Sequence, residues 1–150
     1  MGKSSAALNA ENPIRDKLSE KMDGRIFVKK PLKLSWGGDF EFDAVSVDGD
    51  MAGLISTSRS KTKSNHKNYG GIHKIRGDIV SLMGLENKSL FLVFSEESMF
   101  NEFKRLQEKK KIPPNILLLH IPLEGEYLVE VTKERERASK ENRPETKTGM

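Results

Sequence analysis

The 150-residue chain has no cysteine, which removes a disulfide framework, a thiolate nucleophile and any Cys-based zinc site, and suits a reducing compartment. Long apolar runs are also missing. Nothing approaches the roughly 18 to 20 residues needed to cross a bilayer, and Met1-Gly2-Lys3-Ser4-Ser5 is not followed by the apolar stretch of a signal peptide. Ala6 stands where a myristoylation signal wants Ser or Thr. The expected location is therefore cytoplasmic, with no membrane partner. An excess of one charge sign is lacking too: 26 Lys plus Arg against 22 Asp plus Glu leaves +4, too little for a uniformly basic nucleic-acid binder. There is no internal repeat, P-loop, dinucleotide fingerprint or nucleophile elbow. His66, His73 and His120 have no zinc-ligand spacing.

At this length a single domain is expected. Asn12-Pro13 suits the start of a short helix, with Ile14, Leu18 and Met22 recurring every fourth residue before Gly24. Residues 25–36 read as extended, with Ile26 and Val28 on one face and Leu32, Leu34 and Trp36 alternating after Pro31. Trp36 is expected in the core. Residues 40–47 and 51–58, joined by Asp48-Gly49-Asp50, read as an antiparallel hairpin.

Beyond the hairpin, the period becomes helical from Gly71, with Ile72, Ile75, Ile79, Leu82 and Met83 on one stripe ending at Gly84. Residues 90–94 and 116–121 are continuous apolar runs, as in strands covered on both faces. Between them Ser95 is the expected cap of a helix whose stripe is Met99, Phe100, Phe103 and Leu106. The fold class is thus α/β, a mixed sheet in which an antiparallel meander precedes two strand-helix-strand crossovers. Residues 1–11 are expected to be disordered, 12–131 to form the domain, with 127–131 as an edge strand, and 132–150 to be a charged, frayed or disordered tail.

This plan resembles the core of the restriction-endonuclease-like superfamily, the PD-(D/E)XK nucleases, over about residues 12–121. The resemblance rests on the strand Phe40-Glu41-Phe42-Asp43-Ala44-Val45 and its spacing to the next strand. It implies that Asp43 occupies the place of the metal-binding Asp. It also implies an acid and a Lys two residues apart on the following strand, which together hold a divalent metal such as Mg²⁺ and orient the attacking water. This chain instead reads Leu54-Ile55-Ser56-Thr57-Ser58, so the acid and the Lys are missing and the catalytic motif is incomplete.

Two readings of the acids stay open. In one, a migrated active site uses Asp43 with Glu41 as metal ligands, Glu20 as a supporting acid on the first helix and Lys61 as charge stabiliser, giving a Mg²⁺-dependent nuclease. In the other, these are surface carboxylates and the domain only binds. The charge distribution offers a partner for the second. Residues 59–76 hold six cations, Arg59, Lys61, Lys63, Lys67, Lys74 and Arg76, and no acid, among Ser, Thr, Asn, His and Tyr. That mixture meets the needs of phosphate contacts, although a solvated exposed loop would look the same. The expected partners are nucleic acid, or else a second copy or another protein using an inactivated nuclease fold.

Overall fold

A computed structural model describes residues 5–62, 64–124 and 133. The element order is α1 (Ser5–Lys21), β1 (Phe27–Lys33), β2 (Asp39–Ser46), β3 (Met51–Ser56), α2 (Tyr69–Met83), β4 (Ser89–Phe94), α3 (Glu97–Glu108) and β5 (Ile116–His120). All five strands lie in one sheet in chain order. β1, β2 and β3 pair antiparallel, and β3, β4 and β5 pair parallel. The chain is therefore an α/β domain with a mixed sheet, its meander continuous with the parallel strands. The edge strand expected at residues 127–131 lies outside the described residues.

Parallel strands need long connections, and these are α2 and α3. Both lie on one face of the sheet, where Ile72, Ile75, Ile79 and Leu82 of α2 and Met99, Phe103 and Leu106 of α3 meet Phe42, Val45, Leu54, Leu92, Phe94 and Leu118. α1 covers the other face, packing Ala10, Ile14 and Leu18 with Phe27, Ala44, Ile55, Phe91 and Val93. β4 is buried from above and below, so its sequence Ser-Leu-Phe-Leu-Val-Phe shows no alternation. The Phe91 ring of β4 lies across Gly53 of β3, where an added Cβ would come 2.3 Å from it.

Several local expectations are corrected. α1 begins at Ser5, with Pro13 inside the helix; an interior proline costs about 3 kcal/mol, and burial of Ala10 and Ile14 on the sheet offsets it. In β1 the inward residue is Phe27, edge-to-face with Phe91 at 5.6 Å, whereas Ile26 and Val28 are exposed. Trp36 is 60% exposed and lies over Gly84, where any Cβ would come within 2.8 Å of its ring. Ser95 does not cap α3: its backbone N–H donates to the Ser56 carbonyl at 2.9 Å, extending the sheet by one residue, and Glu96 is the cap position, without a side-chain bond.

Candidate nucleic-acid interface and the Asp43 cluster

The register of the first two strands slips where the candidate site lies. Val28 faces Val45 but Lys30 faces Phe42, so the single residue Lys29 spans Asp43 and Ala44, and β2 carries a bulge. An extra residue lets Phe42 and Val45, three apart, both enter the α2/α3 side, which strict alternation would forbid. A bulge also takes backbone groups out of the ladder, and buried ones need other partners. Two charged side chains supply them. Arg15 of α1 donates from Nη1 to the Asp43 carbonyl at 2.7 Å, and the Asp43 carboxylate accepts the Ile55 N–H of β3 at 2.9 Å.

Asp43 is 4% exposed and Glu11 on α1 is 1% exposed. Arg15 approaches Glu11 at 3.4 Å and also donates to the Asn12 side chain. Lys29 sits 3.8 Å from Glu11 and 3.8 Å from Glu41, which is itself exposed. The result is a cluster at the junction of α1, β1, β2 and β3 in which Arg15 and Lys29 pair with Glu11, Lys29 also approaches Glu41, and Arg15 reaches the backbone of Asp43, whose carboxylate holds the Ile55 N–H. A buried charge is tolerated when paired and hydrogen-bonded, and these groups meet that condition inside the protein.

Glu20 is exposed on the last turns of α1, away in sequence from Glu11. Lys61 belongs to the segment after β3, and Ser56 accepts through its hydroxyl oxygen from the Ser58 N–H at 3.3 Å. Among the described residues no group of three or more His, Cys, Asp or Glu is arranged to hold a metal ion. The donor set at Asp43 does not fit a divalent cation of the nuclease type: the position of acid-x-Lys holds hydroxyls, and Arg15 and Lys29 already place positive charge among the carboxylates. The i,i+4 spacing of Glu11 and Arg15 is the one signal in the sequence for this cluster, and it counts only because α1 extends back beyond Asn12 to Ser5.

The described residues of the basic segment form a small hairpin. Lys61 pairs across to Lys67, the Thr62 N–H donates to the His66 carbonyl at 2.7 Å and the Asn68 N–H to the Ser60 carbonyl at 2.8 Å. Asn65 at φ +66° makes the turn, a conformation Asn tolerates better than most residues. Asn68 anchors this hairpin: its Oδ1 accepts the Gly71 N–H at 3.0 Å as the N-cap of α2, and its Nδ2 donates to the Arg59 carbonyl at 2.9 Å. From α3, the Ser98 hydroxyl oxygen accepts the Ser60 N–H at 3.0 Å.

The six cations are treated unequally. Lys67 lies 3.4 Å from Glu102 and over the Tyr69 ring at 5.8 Å, and Lys74 pairs with Asp78 one turn on at 3.4 Å. Lys63 lies outside the described residues. Among the described residues no ion pair forms at Arg59, Lys61 or Arg76. Glu102 is shared by Lys67 and Arg105. Burial pushes its carboxyl upward, but the Arg105 guanidinium and the Lys67 ammonium outweigh this and hold it below its ordinary value.

No family model, curated protein or solved structure matches the chain. Its function is therefore argued from these two places alone. No helix among the described residues is long and apolar enough to cross a membrane.

Proposed function

We propose that this chain is a nucleic-acid-binding domain of restriction-endonuclease-like architecture in which the position of the metal centre has been converted into a structural ion-pair cluster. The observation that carries the reading is the hairpin in which residues 60–62 pair with residues 66–68. It leaves Arg59 and Lys61 without carboxylate partners among the described residues, while fixing the backbone that presents them. Cations held on a hydrogen-bonded hairpin and not neutralised by described carboxylates can exchange their counterions for phosphates, the dominant source of affinity for nucleic acid.

The nuclease resemblance is supported by the sheet order and by Asp43 at the bulge of the second strand, beside the third. The non-cleaving part of the proposal rests on chemistry: Asp43 and Glu11 are bonded to Ile55, Arg15 and Lys29, and hydroxyls replace the second acid and the Lys. Fluorescence anisotropy with a short labelled oligonucleotide across a salt series tests the binding. The expected slope of log affinity against log salt is about −2 to −3, from two or three phosphate contacts. A flat salt dependence rejects phosphate contacts. Cleavage of the oligonucleotide in Mg²⁺ or Mn²⁺ that disappears in Asp43→Ala would replace this reading with an active nuclease.

A further inference from the structure

A cleft of about 540 Å³ opens between the hairpin and the first turn of α3, lined by Arg59, Ser60, Lys61, Thr62, Asn65 and Ser98. Its volume is that of a small-molecule site, larger than a phosphate group and sufficient for a phosphate with its sugar. Among the described residues no carboxylate lines it. The hydroxyl oxygens of Thr62 and Ser98 accept backbone N–H groups of His66 and Ser60, which leaves each hydroxyl hydrogen to be donated elsewhere. Arg59 Nε is buried and has no hydrogen-bond partner among the described residues, an uncommon condition for so strong a donor. Lys61 and Lys67 are cross-strand partners, a placement in which like charges repel, and Glu102 on α3 relieves only the Lys67 side.

Resting on the nucleic-acid reading above, we propose that this cleft receives the terminal phosphomonoester of a nucleic-acid strand. The charge count selects the monoester. Arg59 and Lys61 supply two positive charges against the nearly two negative charges of a monoester at neutral pH, whereas a backbone diester carries one. Arg is suited to planar, two-point contact with phosphate oxygens and Lys acts as a point charge. Hydroxyl donors from Thr62 and Ser98 complete the oxygen contacts. An anion here also answers the Lys61 and Lys67 repulsion and offers Arg59 an acceptor. Ser98 ties the hairpin to α3, so both walls of the cleft are held by one hydrogen bond.

The test is anisotropy with the full chain and three internally labelled oligonucleotides of one sequence, bearing a 5′ phosphate, a 3′ phosphate or hydroxyls at both ends. One phosphorylated end is expected to bind about tenfold tighter than the hydroxyl form, a typical gain for charge-assisted contacts to one group. Inorganic phosphate is expected to erase that difference. Arg59→Gln and Lys61→Gln should each weaken binding of the hydroxyl oligonucleotide, since both cations also serve the general interface, and each should in addition bring the ratio of phosphorylated to hydroxyl affinity down to about one. Lys61 is exposed, so its variant tests the cleft even where Arg59→Gln misfolds. Equal affinity for all three oligonucleotides overturns the end-binding cleft and leaves the hairpin interface standing. Failure of all three to bind at low salt overturns both.

Discussion

Replacing Asp43 separates a structural carboxylate from a metal ligand. In the folded chain its Oδ2 accepts the Ile55 N–H at 2.9 Å in a site 4% exposed, next to a bulge where β2 and β3 no longer exchange ladder bonds beyond Ala44 and Gly53. A hydrogen bond to a charged group contributes about 1.5–3 kcal/mol. Asp43→Ala should therefore cost about that much, and for a domain of this size roughly 4 °C of melting temperature per kcal/mol puts the loss at roughly 6–12 °C. Asp43→Asn keeps an acceptor oxygen for Ile55 and loses only the charge, so its expected cost is about 1 kcal/mol. Thermal unfolding followed by circular dichroism, with and without Mg²⁺, measures both. The expected order of midpoints is wild type, Asn, Ala, with Mg²⁺ shifting none of them. A ligand that binds only the folded state raises its stability, so a Mg²⁺-dependent rise seen in the wild type and absent from both variants would refute the structural role. An Asp43→Ala midpoint within about 2 °C of wild type would refute the magnitude of the hydrogen bond.

Gly53→Ala forces a methyl to within 2.3 Å of the fully buried Phe91 ring; overpacking of this kind costs about 1–3 kcal/mol, and a urea midpoint equal to wild type would show that the Phe91 ring can move aside. Asn68→Ala removes the α2 cap and the bond to Arg59, with an expected loss of about 1–2 kcal/mol and weaker oligonucleotide binding, whereas Asn68→Asp keeps the cap; hydrogen exchange at Gly71 reads the first effect and anisotropy the second. For Glu102, a folded pKa below its ordinary 4.5 means the contribution is complete above that value and is lost as pH falls through the lowered one. The stability gap between wild type and Glu102→Gln, measured by urea unfolding, should thus be constant near neutrality and close in acid; a gap that widens on acidification contradicts the pairing with Arg105 and Lys67.

The sequence by itself determined the order of elements and most of their faces. Ile72, Ile75, Ile79 and Leu82 could only make one apolar stripe, and the uninterrupted run at β4 is a strand buried on both sides, whereas the similar run at β5 is the last strand of the described sheet and leaves Leu117 47% exposed. Both follow from periodicities of 3.6 and 2, which are local properties of the chain. The α/β class with its meander before the crossovers follows from that order.

What the tertiary structure alone decided is the register and the company each charge keeps. One additional residue in β2 places Asp43 against Ile55 and Arg15, and no local pattern marks where such an insertion falls, because it depends on how β1 and β3 pair on either side. Trp36 alternates like a core residue yet lies outside over Gly84, since its fate depends on the distant end of α2. Among the basic residues the sequence shows six cations. The i,i+4 spacing of Lys74 and Asp78 on α2 marks one of them as paired; only the fold, by bringing Glu102 to Lys67 while leaving Arg59 and Lys61 facing a cleft of hydroxyls, distinguishes the rest.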